Sequence, residues 1–144
     1  MKKSIQIYIL SRNRPLFLKV AIDSALNQNY SQIKFEIIVS DNSDNENISK
    51  MIKENYVHKN IKYIRRNPPL RHIDHMNLVV SELNSEYSVI FHDDDILHPD
   101  YINVMSSFFN ENDVVLVGCN SMNFKDNILD PKDFKNSKLR VNNL

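Results

Sequence analysis

The strongest constraint on the fold is an alternation of short apolar segments with segments of helical spacing. Five segments are rich in β-branched and aromatic residues, and we predict them to be strands: 4–10, 34–40, 60–65, 87–92 and 113–119. Between them, apolar residues recur every three or four positions, which predicts four amphipathic helices: 15–28, 47–56, 72–84 and 99–110. The last strand is the most continuously apolar of the five and is expected to be buried.

This β-α-β order, with connections of only a few residues, implies right-handed crossovers between parallel strands. We therefore predict an α/β, Rossmann-like fold with a mostly parallel twisted sheet covered by helices on both faces. The alternation occupies residues 1–120 of the 144 in the chain, whereas residues 121–144 are polar and without a clear period. In such sheets ligands bind beyond the carboxyl ends of the strands, near the point where strand order reverses.

Charge and cysteine content exclude several classes of function. Lys+Arg and Asp+Glu both number 18, so no net field favours nucleic acid or an anionic membrane. A single cysteine, Cys119, excludes an internal disulfide, fits a reducing cytoplasm, and is expected to lie in the core. No apolar run approaches the roughly 20 residues that span a bilayer, so we predict a cytoplasmic protein, at most peripheral to the inner face of a membrane.

Polar residues follow each of the first four predicted strands, at 11–14, 40–44, 65–67 and 92–95. Because parallel strands end at the same edge of a sheet, these clusters are expected to lie close together. The chain has neither a GxGxxG nor a GxxxxGK[ST] motif. Phosphate binding at this edge would therefore require a metal.

The cluster after the fourth strand contains three consecutive aspartates, Asp93, Asp94 and Asp95, with His92 before them. Hard cations such as Mn²⁺ or Mg²⁺ are often held by one or two carboxylates together with substrate phosphates. Along an extended backbone Asp93 and Asp95 would point to one side and Asp94 to the other. Spacing alone therefore favours Asp93 and Asp95 as a ligand pair.

Other polar residues are assigned structural roles. We expect Arg65 and Arg66 to form a surface pair, and His72 and His75 to lie on a solvated helix face, because no third metal ligand has suitable spacing. Asp100 is expected to begin the fourth helix, where a carboxylate complements the helix dipole.

Two stretches of the sequence resemble a known family. "IYILSRNRPLFLKVAIDSALNQNYSQIKFEIIVSDNSD" and "SEYSVIFHDDDILHPDYI" resemble the opening and the metal-binding segment of family-2 glycosyltransferases, which have the glycosyltransferase A fold. The resemblance extends over residues 4–118. It implies sugar transfer, with inversion, from a nucleoside-diphosphate-sugar, with a UDP-sugar expected, to an acceptor hydroxyl. A glycan or lipid-linked acceptor in cell-surface polysaccharide or lipopolysaccharide synthesis is the expected context, and residues 1–120 would be the nucleotide-sugar-binding domain.

Matched residue by residue, the resemblance assigns donor contacts to five positions. Ser11 and Arg14 border the nucleotide, Asp41 contacts the base, Arg71 faces the diphosphate and Asp93 lies beside the ribose. In addition, Asn77 matches the family's asparagine on the helix before the acidic motif.

The resemblance also predicts a divalent metal, Mn²⁺ or Mg²⁺, with Asp94 as its direct ligand and Asp95 or His92 as further candidates. This differs from the pair that spacing favours, and we follow the motif register because a chain turning toward a helix need not stay extended.

The catalytic base is unknown from the sequence. In the family it lies in a second half of the domain, and this chain stops at Leu144, so we expect a truncated fold in which residues 121–144 are a polar extension or an incomplete acceptor half. A donor-binding fragment without turnover is therefore the alternative function. A receiver-like signalling domain is disfavoured, because it needs an acidic pair after the first strand, where this chain has "SRNR".

Overall fold

The computed structural model describes residues 4–29, 34–57, 59–109, 114–119 and 121. These residues form strands and helices in strict alternation. The elements are β1 (Ser4–Ser11), α1 (Pro15–Leu26), β2 (Lys34–Asp41), α2 (Asn47–Asn55), β3 (Ile61–Arg65), α3 (His72–Ser81), β4 (Tyr87–His92) and α4 (Tyr101–Phe108). Each lies within three residues of its predicted bounds. Among the described helices the longest has 12 residues, and none is long and apolar enough to cross a membrane.

The four strands form one parallel sheet in the order β3-β2-β1-β4. The chain builds outward from β1 to β3 and then returns to the other side of β1 for β4. Strand order therefore reverses between β1 and β4, which is where a parallel sheet offers a crevice for a ligand. In register, Ser11 of β1 lies beside Asp41 of β2, and Leu10 lies beside His92 of β4.

The two faces of the sheet carry different helices. Alternate residues of β1 and β2 pack with residues of α1, α2 and α4 in the larger core cluster, which includes Ile7, Ile9, Leu18, Ile22, Ile37, Val39, Ile48 and Ile102. The intervening strand residues pack against α3 in a smaller cluster formed by Tyr8, Leu10, Ile38 and Val79. This period of two follows from the pleat of a strand. The predicted α/β sheet with helices on both faces is confirmed.

A buried glutamine ties the end of α1 to the start of α4. Gln28 is 6% exposed and donates to the carbonyl oxygens of Ser24 and His98 at 3.1 and 2.8 Å. Its Oε1 accepts from the backbone N–H of Ile102 at 3.0 Å. Gln28 therefore fixes the segment that follows the aspartate run.

Replacing Gln28 by alanine is expected to lower the free energy of unfolding by about 2 kcal/mol, because buried backbone groups lose their partners. Urea unfolding measures this. Asn29→Ala is the matched control: its exposed side chain bonds Asp100, and its loss should cost less than about 0.5 kcal/mol. Equal effects of the two substitutions would contradict the role of Gln28.

The predicted fifth strand is wrong where the structure describes it. Residues 114–119 form no strand, Val115 and Leu116 are 92% and 86% exposed, and Cys119 is exposed rather than in the core. An apolar run becomes a strand only when a neighbouring strand completes its hydrogen bonds, and within the described residues none pairs with this segment. Apart from Ser121, the prediction for residues 121–144 lies outside the described residues.

Candidate active site at the carboxyl edge

The crevice between β1 and β4 contains a buried carboxylate. Asp93, which follows β4, is 1% exposed, and its N–H donates to the carbonyl of Leu10 at 3.1 Å. The Ser11 hydroxyl donates to Oδ2 of Asp93 at 2.5 Å. Asp93 is thus fixed at the point where strand order reverses.

Arg14, just before α1, joins two of the aspartates. Its Nη2 forms an ion pair with Oδ1 of Asp93, and its Nη1 lies 3.0 Å from Oδ2 of Asp94. Oδ1 of Asp93 is buried and lies against the guanidinium of Arg14. Burial raises the pKa of Asp93, although the hydrogen bond from Ser11 and the charge of Arg14 oppose that shift.

The aspartate run turns rather than continuing the strand. Asp95 donates its N–H to the carbonyl of His92 at 3.2 Å, and its Oδ2 accepts from the His92 N–H at 3.4 Å. Asp93 consequently points inward, whereas Asp94 and Asp95 are exposed. The expectation from spacing, that Asp93 and Asp95 share one side, is wrong because it assumed an extended backbone.

Asp41, at the end of β2, is fully buried and accepts three hydrogen bonds. Its Oδ2 accepts from Tyr63 and Arg65 at 2.6 and 2.9 Å, and its Oδ1 accepts from the N–H of Ser43 at 2.8 Å. Burial and the bond to Asp41 raise the pKa of Tyr63 to about 12. The sequence predicted that Arg65 lies on the surface. This is wrong, because its side chain is 23% exposed and pairs with the buried carboxylate of Asp41.

The loops that carry these residues are bonded to one another. Asn13, in a left-handed conformation with φ 59°, donates its N–H to the Ser43 hydroxyl at 2.7 Å. Asn42 exchanges two hydrogen bonds, of 2.7 and 2.9 Å, with the backbone of Leu70. The clusters after β1, β2 and β3 thus meet at one edge, as the alternation predicts. The positive φ of Asn13 suits asparagine, which tolerates this region better than most residues.

Two predicted positions lie away from these contacts. The Arg71 side chain is 82% exposed, and its ion-pair partner among the described residues is Asp74, at 2.7 Å. Asn77 is exposed on α3. The structure does not bring Arg71 into contact with the aspartate run, and its role toward a diphosphate stays a prediction.

Comparison with known proteins identifies the family. The family model described as "Glycosyl transferase family 2" matches residues 6–141. This chain belongs to glycosyltransferase family 2. A search of curated protein sequences found no match.

Solved structures show that this family-2 chain has the glycosyltransferase A fold. S. aureus TarS 1-349 in complex with UDP is 14% identical with a TM-score of 0.63, and the match covers 74% of this chain and 32% of TarS 1-349. The mannosyltransferase PcManGT from Pyrobaculum calidifontis, in complex with GDP-Man and Mn2+, is 16% identical with a TM-score of 0.57, over 69% of this chain and 30% of that one. The chain thus spans about a third of the length of these structures.

The resemblance predicts a divalent cation, and PcManGT is in complex with Mn2+. Among the described residues, no group of three or more His, Cys, Asp or Glu is placed to hold a metal. Mn²⁺ and Mg²⁺ nevertheless bind through one or two carboxylates when substrate phosphates complete the shell. The exposed carboxylate of Asp94 fits that requirement. His92 stacks on His72 with ring centroids 5.8 Å apart.

A buried polar network beneath the sheet was not predicted. Arg66 is 8% exposed, donates to the Ser40 hydroxyl at 2.9 Å and forms a bidentate pair with Glu82 at 2.7 and 2.5 Å. His75 is buried with its Nε2 2.8 Å from the same hydroxyl. The expectations of a surface Arg66 and a solvated His75 are therefore wrong. The position of His75, four residues before buried Val79, was the signal in the sequence for its burial.

His75 makes stability depend on pH. Burial, and then the charge of Arg66, lower its pKa from 6.5 to about 4 in the folded protein. Between those values the unfolded chain binds more protons than the folded one, so the stabilisation is full above 6.5 and is lost as pH falls toward 4. The loss should reach about 2 kcal/mol near pH 4.5.

Urea unfolding at pH 7 and near pH 4.5 checks this prediction. His75→Gln should remove about 2 kcal/mol of the pH-dependent loss, whereas His72→Gln, exposed on the same helix, should keep it. Parallel pH profiles for the wild type and His75→Gln would show that His75 titrates normally.

Proposed function

We propose that this chain binds a nucleoside-diphosphate-sugar, with a UDP-sugar preferred, in the crevice between β1 and β4. There it would take part in transferring the sugar to an acceptor hydroxyl with inversion. The observation that carries the proposal is the set formed by Arg14, Asp93 and Asp94 at the reversal of strand order. Asp41, beside Ser11 at the same edge, would mark the base end of the site, where Tyr63, Arg65 and the N–H of Ser43 hold its carboxylate.

Each residue of the crevice has a chemical role in this proposal. The guanidinium of Arg14 suits the oxygens of a diphosphate, which it can bind in bidentate fashion. The Asp93 carboxylate would accept a hydrogen bond from a ribose hydroxyl, and the hydroxyl of Ser11 keeps that carboxylate in place. The bond from Ser11 preorganises Asp93, which lowers the cost of binding the donor.

Asp94 would hold the cation, with Asp95 or His92 as further candidates. When bound, a divalent cation stabilises the negative charge that develops on a leaving nucleoside diphosphate. The exposed Asp94 carboxylate faces the same space as the guanidinium of Arg14, so both ends of a diphosphate have partners here. The acceptor hydroxyl would be deprotonated by a carboxylate to which no described residue is matched.

The proposal extends to the biological setting. Its proposed context is a glycan or lipid-linked acceptor, cell-surface polysaccharide or lipopolysaccharide synthesis, and a cytoplasmic reaction at the inner face of a membrane; family membership supports the glycosyl transfer on which this context rests. The balanced charge of the chain offers no support for a nucleic acid partner.

Titration calorimetry of the folded chain tests the donor assignment. UDP with Mn²⁺ is expected to bind more tightly than UDP alone and more tightly than GDP with Mn²⁺. Lack of binding by any nucleoside diphosphate would refute the proposal. Hydrolysis of UDP-sugars by the same chain distinguishes a transferase from a donor-binding fragment without turnover.

A further inference from the structure

One guanidinium contacts both acidic residues on which the proposed donor site depends. Arg14 pairs through Nη2 with Oδ1 of Asp93 and through Nη1 with Oδ2 of Asp94, the latter at 3.0 Å. The Asp93 side chain is fully buried, and a buried carboxylate without a nearby cation is strongly unfavourable. Arg14 therefore supplies the positive charge that this pair needs when no ligand is bound.

We propose that Arg14 is a resident cation of the donor site: it pairs with Asp93 and Asp94 in the free protein and transfers to the diphosphate when a divalent cation binds Asp94. This inference rests on the proposed function, because it concerns the same site. Its consequence is strong coupling between the binding of the divalent cation and the binding of the diphosphate. Each binds weakly alone, and each raises the affinity of the site for the other.

The exchange follows from charge. With Arg14 in place, a divalent cation at Asp94 would meet a like charge already bound to the same carboxylate, which is unfavourable at such short range. A diphosphate removes this conflict because it offers the guanidinium phosphate oxygens instead. The two charges of a divalent cation and the two of a nucleoside-diphosphate-sugar cancel, so the net charge of the site would be the same in the free and the occupied states.

The surroundings of Arg14 allow it to move without releasing Asp93. Its side chain is 44% exposed, and its Cζ lies 5.9 Å from the centre of the Phe17 ring, which can hold a cation by its face. The hydroxyl of Ser11 would keep Asp93 fixed, because it bonds the other carboxylate oxygen.

The arginine at the neighbouring strand end is held differently. Arg65 donates through Nη1 to Asp41 at 2.9 Å and to the carbonyl of Asn45 at 2.7 Å, and Tyr63 bonds the same carboxylate. Removing Arg65 would break a network with three members. Arg14, by contrast, has one exposed partner, Asp94, whose side chain is 49% exposed, as suits a cation that exchanges.

The test measures Mn²⁺ affinity without nucleotide, by the electron paramagnetic resonance signal of free Mn²⁺, and again with UDP. For the 144-residue chain carrying Arg14→Gln, we expect Mn²⁺ alone to bind about tenfold more tightly than to the wild type. The enhancement of Mn²⁺ affinity by UDP should fall by about the same factor. Arg12→Gln is the control, because Arg12 pairs only loosely, at 3.5 Å, with exposed Asp44; it should behave as the wild type.

Arg14→Lys keeps the positive charge but loses the planar set of guanidinium donors, so its Mn²⁺ affinity should lie between those of the wild type and Arg14→Gln. This variant serves as the test if Arg14→Gln does not fold. Wild-type binding of UDP with Mn²⁺, together with Mn²⁺ affinity that neither Arg14 variant changes, would overturn the resident-cation role alone. Failure of the wild type to bind UDP with Mn²⁺ would overturn the proposed function and this inference together.

Discussion

Replacing Asp94 by asparagine is expected to lower the affinity for UDP in the presence of Mn²⁺ at least about tenfold, or about 1.4 kcal/mol. Affinity for UDP without metal should change little. Asparagine keeps the size of the side chain but removes the negative charge that a hard cation requires. Because Asp94 is exposed, the folded state should tolerate the change, and circular dichroism checks that it does.

Asp95→Asn is the matched control for this prediction. Asp95 is the next carboxylate along the chain and is also exposed, but its Oδ2 accepts from the N–H of His92 within the turn. Its substitution should reduce the Mn²⁺-dependent affinity by less than about threefold. If Asp95→Asn shows the large loss and Asp94→Asn does not, the ligand assignment that follows from the motif register is wrong.

Replacing Asp41 by alanine is expected to lower the free energy of unfolding by about 3 kcal/mol. Arg65, only 23% exposed, would lose its carboxylate, and the hydroxyl of Tyr63 and the N–H of Ser43 would lose their acceptor. A partly buried cation that loses its buried counter-charge destabilises the fold, although Arg65 keeps its bond to the carbonyl of Asn45. Guanidinium or urea unfolding measures the change.

Asp44→Ala controls for the loop. It removes an exposed carboxylate three positions away, whose ion pair with Arg12 spans 3.5 Å, and should lower stability far less than the loss of Asp41. A loss at Asp41 no larger than at Asp44 would show that the three hydrogen bonds of Asp41 contribute little. The conservative variant Asp41→Asn, if folded, reports separately on nucleotide preference: UDP should lose its advantage over GDP.

The elements of the fold were predictable because each carries its own periodic pattern. β4 has the predicted bounds, and β1, β2 and β3 differ from theirs by one residue. Helix ends were less accurate: α3 ends at Ser81, three residues before its predicted end. Strand order was not predictable from patterns alone, since the alternation fixes parallel pairing but not which strand lies beside β1.

The predictions from sequence were wrong for residues whose structure depends on a partner that is distant in the chain. Glu82 follows Arg66 by 16 positions, and nothing local distinguishes a buried arginine from an exposed one. The apolar run at 114–119 looked like a strand because composition reports burial propensity and not the presence of a neighbouring strand.

The site was predictable in position but not in contacts. Strand ends and the resemblance placed Ser11, Arg14, Asp41 and Asp93 at one edge, and the structure brings Ser11, Arg14 and Asp93 into contact. That Arg14 spans two aspartates depends on the turn after β4, which spacing along an extended strand did not anticipate.

Paramagnetic broadening by Mn²⁺ tests the central claim most directly, because it locates the bound cation. With UDP and a small fraction of Mn²⁺, amide signals of Ser11, Arg14 and Asp94 should broaden, while those of Phe35 and Tyr87, at the amino edge of the sheet, should keep their widths. Mg²⁺ serves as the diamagnetic reference. Broadening centred on the amino edge, or no broadening at the carboxyl ends of β1 and β4, would contradict a donor site in this crevice.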